Sequence, residues 1–441
     1  MMKTGIRVFL VLGIIAVFCG CGGGDGKKSS STDDTAVQVE EFTFWNQVFE
    51  TWNVEYFEKK AEQYNALNRG YRVNQEFITG DAWTERMTAA IASNTAPDGY
   101  VIAYNNIRGG VVRGELMPLD GLVPQPALDD IHDNVKSMVS FDGKVYAYPQ
   151  LVEPSAVLFY RKDLFEKAGL TRPPKTWDEL IEYGKKLSTR DIYGLAIGDF
   201  GAFGWCTWGA QYAVSGHLAI NDNWDAPLID NNYKDLANFY RRLYAEGVVP
   251  EQSLAGYTNI EPFGLGYVAM QICGSWGVAG IINDYPEVAE LFAVAPVPTK
   301  DGNQDKPTAT NGGWTFVIDA KTSHPQAMAD YIYWLLGDDP AIPAEFFEIA
   351  QYSKSSPRKS VDEYIAAHAT GGAGWAEPIA YVASRAIPEP VYPWDISVAV
   401  STMFENVAIN GVNIDAASEE AIRTINEVIK NNELAGKNPY K

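Results

Sequence analysis

Residues 146–187 read YAYPQLVEPSAVLFYRKDLFEKAGLTRPPKTWDELIEYGKKL. Within this stretch Ala156-Val157-Leu158-Phe159-Tyr160 is a short apolar run of β-forming residues, the pattern of a buried strand. Pro149 and Pro154 hold the approach extended, as a segment crossing between two bodies requires. Residues 162–168 then make a short helix stopped by Gly169, and Pro173-Pro174 form a stiff connector. Thr176-Trp177-Asp178-Glu179 is a capping box: the Thr176 hydroxyl accepts from the Glu179 N–H, and the Glu179 carboxylate reaches back to the N–H of Thr176. Trp177, Leu180, Ile181 and Leu187 follow at helical spacing.

Upstream, residues 41–45 read as a strand and 54–67 as an amphipathic helix carrying Phe57, Ala61 and Tyr64 inward. A second strand over 71–77, a helix over 83–93 and a third strand over 100–102 complete a β-α-β-α-β order. That order predicts a parallel sheet, whose ligands gather at the carboxyl ends of its strands. Trp45, Gly80-Asp81 and Tyr104-Asn105 fall near such ends, which makes them site candidates.

The order and spacing of Tyr160-Arg161-Lys162-Asp163-Leu164-Phe165, Gly169-Leu170, Pro174 and Thr176-Trp177-Asp178-Glu179-Leu180 resemble the family 1 extracellular solute-binding proteins. These are the maltose-binding-protein-like receptors of ABC-type uptake transporters. Gly266-Tyr267-Val268-Ala269-Met270, followed by Gly274-Ser275-Trp276, is similar to a strand and sugar-facing turn of that family. The resemblance implies an α/β, two-lobe periplasmic-binding-protein fold, hinge-connected, with a ligand cleft between the lobes. On this basis lobe one comprises residues 38–152 and 297–340, and lobe two 153–296 and 341–441. Residues 293–298 look like the return crossing, a further crossing is expected over 337–343, and the helices from Phe346 onward complete lobe two.

A chain of 441 residues is too long for one core, and 46% apolar with 21% charged residues suits a folded globular protein. The formal charge of −21 repels nucleic acid, and no basic tract offsets it. A solvated acidic surface explains that charge; the sharper alternative is an acidic cleft for a cationic ligand. Residues 1–20 read as an export signal, with Lys3 and Arg7 before an apolar core over 8–17 that is too short to span a bilayer. Phe18-Cys19-Gly20-Cys21 resembles a bacterial lipobox, with Cys21 as the lipidated residue. It departs from the usual pattern at Phe18 and Cys19. Residues 21–37 would then be a lipid-anchored flexible tether. Only Cys206 and Cys273 remain in the body; outside the cytoplasm they could pair, and sequence does not place them within bonding reach.

Twelve tryptophans is a high count, and Trp45, Trp83, Trp205, Trp208, Trp276, Trp314 and Trp375 fall in loops or at element ends. A pyranose presents C–H faces that pack on an indole and a rim of hydroxyls that needs paired donors and acceptors. Asn105, Asp81 and Glu153 are side chains that could bridge hydroxyls, and Glu153 could equally be a hinge residue salt-bridging the lobes. Gly312-Gly313 would let backbone approach a ligand closely. A loop tryptophan is more often a packed cap than a ligand wall. The family resemblance favours Trp276 as a sugar-facing residue.

The four histidines lack metal or catalytic spacing, and neither a nucleophile elbow nor a phosphate loop is present. No cofactor and no metal are expected. The reading is therefore a monomeric, lipid-anchored receptor that takes a mono- or oligosaccharide and hands it to an ABC transporter permease, with no catalysis. The alternatives are a same-fold receptor for a cationic solute such as a polyamine, and a secreted carbohydrate-active enzyme, whose carboxylate pair sequence cannot locate.

Overall fold

Strand β1, Glu40–Val48, sits inside a five-stranded sheet. It pairs in parallel with β2 (Tyr71–Thr79) on one side and β3 (Gly99–Ala103) on the other. Two antiparallel strands extend the sheet beyond β3: β10 (Trp314–Ile318) and then β4 (Tyr148–Pro149). The computed structural model describes residues 39–441 apart from 201–202, 255, 257–258, 370–373 and 439–441. The export signal, the tether and Cys21 lie outside the described residues.

The first core forms around this sheet, because Phe42 and Phe44 of β1 and Phe316 of β10 have no access to water. Helix α1, Thr51–Ala66, lays Phe57 and Tyr64 against them. Helix α2, Gly80–Ser93, follows β2, and α3, Tyr104–Val112, opens directly after β3. The predicted β-α-β-α-β order is therefore present.

The second core surrounds three antiparallel strands, β8 (Phe292–Ala295), β6 (Val157–Arg161) and β7 (Met270–Cys273), in that order. Helix α4, Trp177–Leu187, begins as its capping residues require, with Glu179 N–H donating to Thr176 Oγ1 at 3.0 Å. The Glu179 carboxylate accepts from the Lys175 N–H at 2.7 Å and is clasped by Arg172, which holds it down at about 2. Trp177 stacks at 4.6 Å on Phe239 of helix α6, Asn231–Ala245. Cys206 and Cys273 are buried thiols in this core, and burial pushes both up, Cys273 to about 12.

A third, small sheet lies where the chain passes between the cores. It consists of β11 (Ile387–Pro388), β9 (Thr310–Gly312) and β5 (Glu153–Pro154). Val152 packs in the first core and Ala156 in the second; Ala309 packs in the second and Phe316 in the first. The return crossing is thus at β9 and not at 293–298. Thr299 instead brackets the start of α4, donating to Lys175 O at 3.0 Å and accepting from the Trp177 N–H at 3.1 Å. The segment 337–343 does not cross either. Helix α8, Ala341–Ile349, carries Phe346 against Trp52, Tyr56 and Phe57, so the aromatic face of α1 keeps it in the first core. Tyr364 and Ile365 still pack there, whereas Trp375 packs on the second core.

Candidate functional site

The crossing sheet concentrates the polar groups buried between the two cores. Glu153 of β5 pairs in register with Gly312 of β9. Its carboxylate lies 2.7 Å from Lys354 Nζ, with the two side chains 8% and 6% exposed. Glu389 follows β11, its N–H donating to Asn311 O at 3.2 Å. The Glu389 carboxyl fills the space that a β-carbon on Gly312 would need. Burial, and then the neighbouring Glu153 charge, push Glu389 up to about 8. Glu50, just beyond β1, is raised by burial, an effect opposed by Lys354 and reinforced by Glu153 and Asp284.

Both lobes deliver residues to this strip. From the first, the Tyr104 O–H donates to Leu151 O at 3.1 Å and brings the start of α3, with Asn105, alongside β5. Gln150 N–H donates to Trp314 O at 3.0 Å. From the second, Ser275 N–H donates to Pro154 O at 3.1 Å, so the Gly274-Ser275-Trp276 turn abuts the same strand. Helix α7, Gly277–Asp284, follows that turn, and a β-carbon on its Gly280 would sit 3.9 Å from Glu50 Oε1. Glu50 of the first lobe therefore reaches the second.

Five buried side-chain atoms here have no hydrogen-bond partner among the described residues: Asn105 Oδ1, Gln150 Oε1, Ser275 Oγ, Asn311 Oδ1 and Glu389 Oε2. Buried polar atoms without partners are rare, and each calls for an explanation. The aromatic residues nearby are only part buried. Trp276 lies over Gly274, whose missing side chain makes room for the indole. Trp314 packs on Phe49 with ring centroids 4.4 Å apart, next to Glu50.

Asn105, Glu153, Trp276, Gly312, Gly313 and Trp314 are thus drawn to one strip. The two glycines are required there by protein neighbours. At Gly312 it is the Glu389 carboxyl. At Gly313 it is a φ of +133° and Leu151 O, 2.7 Å from any added β-carbon. The expectation that they open a path for ligand against backbone is replaced by these contacts.

The remaining candidates are elsewhere. Trp208 is 1% exposed in α5 (Phe203–Ser215), and its indole N–H donates to Ser397 Oγ at 3.0 Å, so it is a satisfied core residue. Its expected loop is a helix. Trp45 is 8% exposed, mid-strand because β1 continues to Val48, and capped by the Arg86 guanidinium 4.4 Å from its ring centroid. Trp205 packs on Trp394 at 4.9 Å. Trp375 stacks on Phe292 at 5.2 Å and donates to Gln351 O at 2.8 Å, a strut between the lobes. Trp83 packs along α2 on the first core. Asp81 opens α2, and its side chain is outside the described residues.

Sequence reading missed Glu50, Gln150, Ser275, Lys354 and Glu389. The one local clue was Pro388-Glu389-Pro390, a glutamate held extended between prolines as Glu153 is beside Pro154. Among the described residues, no three His, Cys, Asp or Glu side chains are grouped to hold a metal ion. No described helix is long and apolar enough to cross a membrane.

Two cores joined by a crossing sheet, with buried polar groups converging from both, define a two-lobed solute-binding protein of the periplasmic type. An ABC transporter solute-binding protein from Thermotoga lettingae, solved with α-D-tagatose, superposes with a TM-score of 0.76 at 20% identity, over 88% of this chain and 100% of that one. Another, from Agrobacterium vitis with bound D-mannitol, gives 0.72 at 23% identity, over 89% and 99%. Residues 51–342 match the bacterial extracellular solute-binding protein family, and the chain belongs to that family. Membership places its work outside the cytoplasm. The mannitol-binding protein of Pseudomonas aeruginosa is 30% identical over 238 residues, 50% of this chain and 52% of that relative, so the match spans about half of its length.

Proposed function

We propose that this protein is a receptor that captures a polyhydroxylated solute, a sugar or sugar alcohol, between its lobes and passes it to an ABC transporter permease. The observation that carries the reading is the set of buried polar atoms around the crossing sheet, at Asn105, Gln150, Ser275 and Asn311, that have no partner among the described residues and are flanked by the part-buried indoles of Trp276 and Trp314. Hydroxyls supply both donors and acceptors to such atoms, and C–H faces pack on indoles. Relatives named for mannitol and maltodextrin binding support the solute class.

Capture works by closure. The ligand touches both lobes, and its higher affinity for the closed form shifts the population toward it. Glu153 and Lys354 keep the hinge ion-paired, Trp276 and Trp314 form the walls, and the permease reads the closed form. No chemistry is done on the ligand. The N-terminal segment exports the chain and anchors it through a lipid on Cys21, and the receptor acts as a monomer. A thermal-shift screen of the full chain against sugars, alditols, polyamines and amino acids tests this. A saturable rise in midpoint with a sugar or alditol is expected, because a native-state ligand stabilises by mass action. A response confined to amino acids or polyamines overturns it.

A further inference from the structure

Among the described residues around the crossing sheet, the carboxylates outnumber the cations. Glu153 pairs in register with Gly312, against which the Glu389 carboxyl is seated, and the Glu153 charge also raises Glu50. The cation of this cluster is Lys354, and its ammonium is already engaged by Glu153 at 2.7 Å. Asp284 adds a further negative charge beside Glu50. Glu389 is 6% exposed, and its Oε2 has no hydrogen-bond partner among the described residues. Gly312 has given up its side chain to seat that carboxyl. A surface cluster of acids is merely solvated, but a carboxyl this deep is stabilised only by a proton or by a cation brought to it.

We propose that the ligand carries a basic nitrogen among its hydroxyls, as an amino sugar or amino polyol does, and that Glu389 receives its ammonium beside the Glu153–Lys354 pair. The ammonium supplies the missing positive charge and several N–H donors, one of them for Glu389 Oε2. The ligand's hydroxyls meet Asn105 Oδ1, Gln150 Oε1 and Ser275 Oγ, and its C–H face lies on Trp276. A neutral sugar leaves the Glu389 carboxyl to find a proton of its own. A polyamine lacks the hydroxyls and the rigid face that the amides and the indole suit. The inference rests on the cleft being a polyol site, as proposed above.

The test is titration calorimetry of the full chain with D-glucosamine, N-acetyl-D-glucosamine, D-glucose, D-mannitol and spermidine, at a pH where the amines are protonated. Glucosamine is expected to bind at least about tenfold more tightly than its N-acetyl form, which keeps the ring and removes the charge. Glu389→Gln is expected to shrink that ratio to less than about threefold. N-acetylglucosamine, glucose or mannitol binding as tightly as glucosamine overturns the amine inference and leaves the polyol receptor standing. Spermidine binding with no sugar or alditol response overturns both, and no response to any of the five overturns the amine inference. The comparison among ligands needs only the wild-type chain, so it decides the matter even if the variant misfolds.

Discussion

Lys354 Nζ lies 2.7 Å from Glu153 Oε2, and the pair links the segment that follows α8 to the first crossing strand. With both side chains less than a tenth exposed, the bond sits where solvent screens it little. Removing the lysine leaves a buried carboxylate beside Glu50 and Glu389. Lys354→Met is expected to destabilise the chain by about 3 kcal/mol or more, read by urea denaturation. Pairing it with Glu153→Gln should recover much of that loss. A single variant within about 0.5 kcal/mol of wild type would show that the pair does not hold the hinge.

Gly312 and Glu389 compete for one volume. Gly312→Ala adds a methyl group where the carboxyl stands. The expected cost is about 1–3 kcal/mol, the range for overpacking a filled site. In a double-mutant cycle with Glu389→Ala the two effects should be strongly non-additive. Additive effects would mean that the carboxyl moves aside freely.

Glu389 also gives stability a pH dependence whose sign is fixed. Its ordinary value is 4.5 and the folded chain holds it at about 8, so the folded state binds the proton more tightly than the unfolded one. This contribution is intact below about 4.5, is lost as pH rises through the window to about 8, and stays lost above it. The groups around it are Glu153, Tyr104 and, through Glu153, Lys354; none reverses the sign. Glu389→Gln cannot ionise. Its unfolding midpoint, minus that of wild type without ligand, should therefore climb between pH 5 and pH 8, as measured by thermal melts. A flat difference would place Glu389 in water.

Arg108 of α3 lies 5.5 Å from the ring centroid of Trp224, which belongs to the second core, so this contact spans the lobes. Trp224 is held in the left-handed region, at φ 55°, with its N–H on Asn221 O at 2.9 Å. A cation–π contact contributes about 0.5–2 kcal/mol. Arg108→Ala should weaken ligand binding by about that amount, because the contact joins the two lobes that capture brings together. Unaltered affinity would remove it from closure.

What was legible in the sequence was local. The strand over 157–161, the Thr176 cap and the alternation of strand and helix before Tyr104 each depend on neighbours within a few residues. Asn105 stands out in the sequence for its place after the third strand, Trp276 for its resemblance to a family turn and Glu153 for its carboxylate, and the structure brings all three to the crossing strip. Trp208 and Trp45 were misread because standing near an apparent element end says nothing about burial: α5 covers one, and Arg86 the other. Lys354 becomes meaningful only through a partner 201 residues away, and Glu389 only through Gly312 on a strand well separated from it in sequence. The crossing at β9 was misplaced for a similar reason, since the bonds that keep Thr299 in the second lobe go to the distant start of α4.

Trp276 carries the central claim, as the indole that the second lobe brings to the crossing sheet beside Ser275 and Pro154. Titration calorimetry should be run on wild type and Trp276→Ala with whichever sugar or alditol raises the melting midpoint most. One site per chain is expected, with the variant weaker by about 1–2 kcal/mol and its melting without ligand little changed. Equal affinity in the two proteins would contradict capture between the lobes.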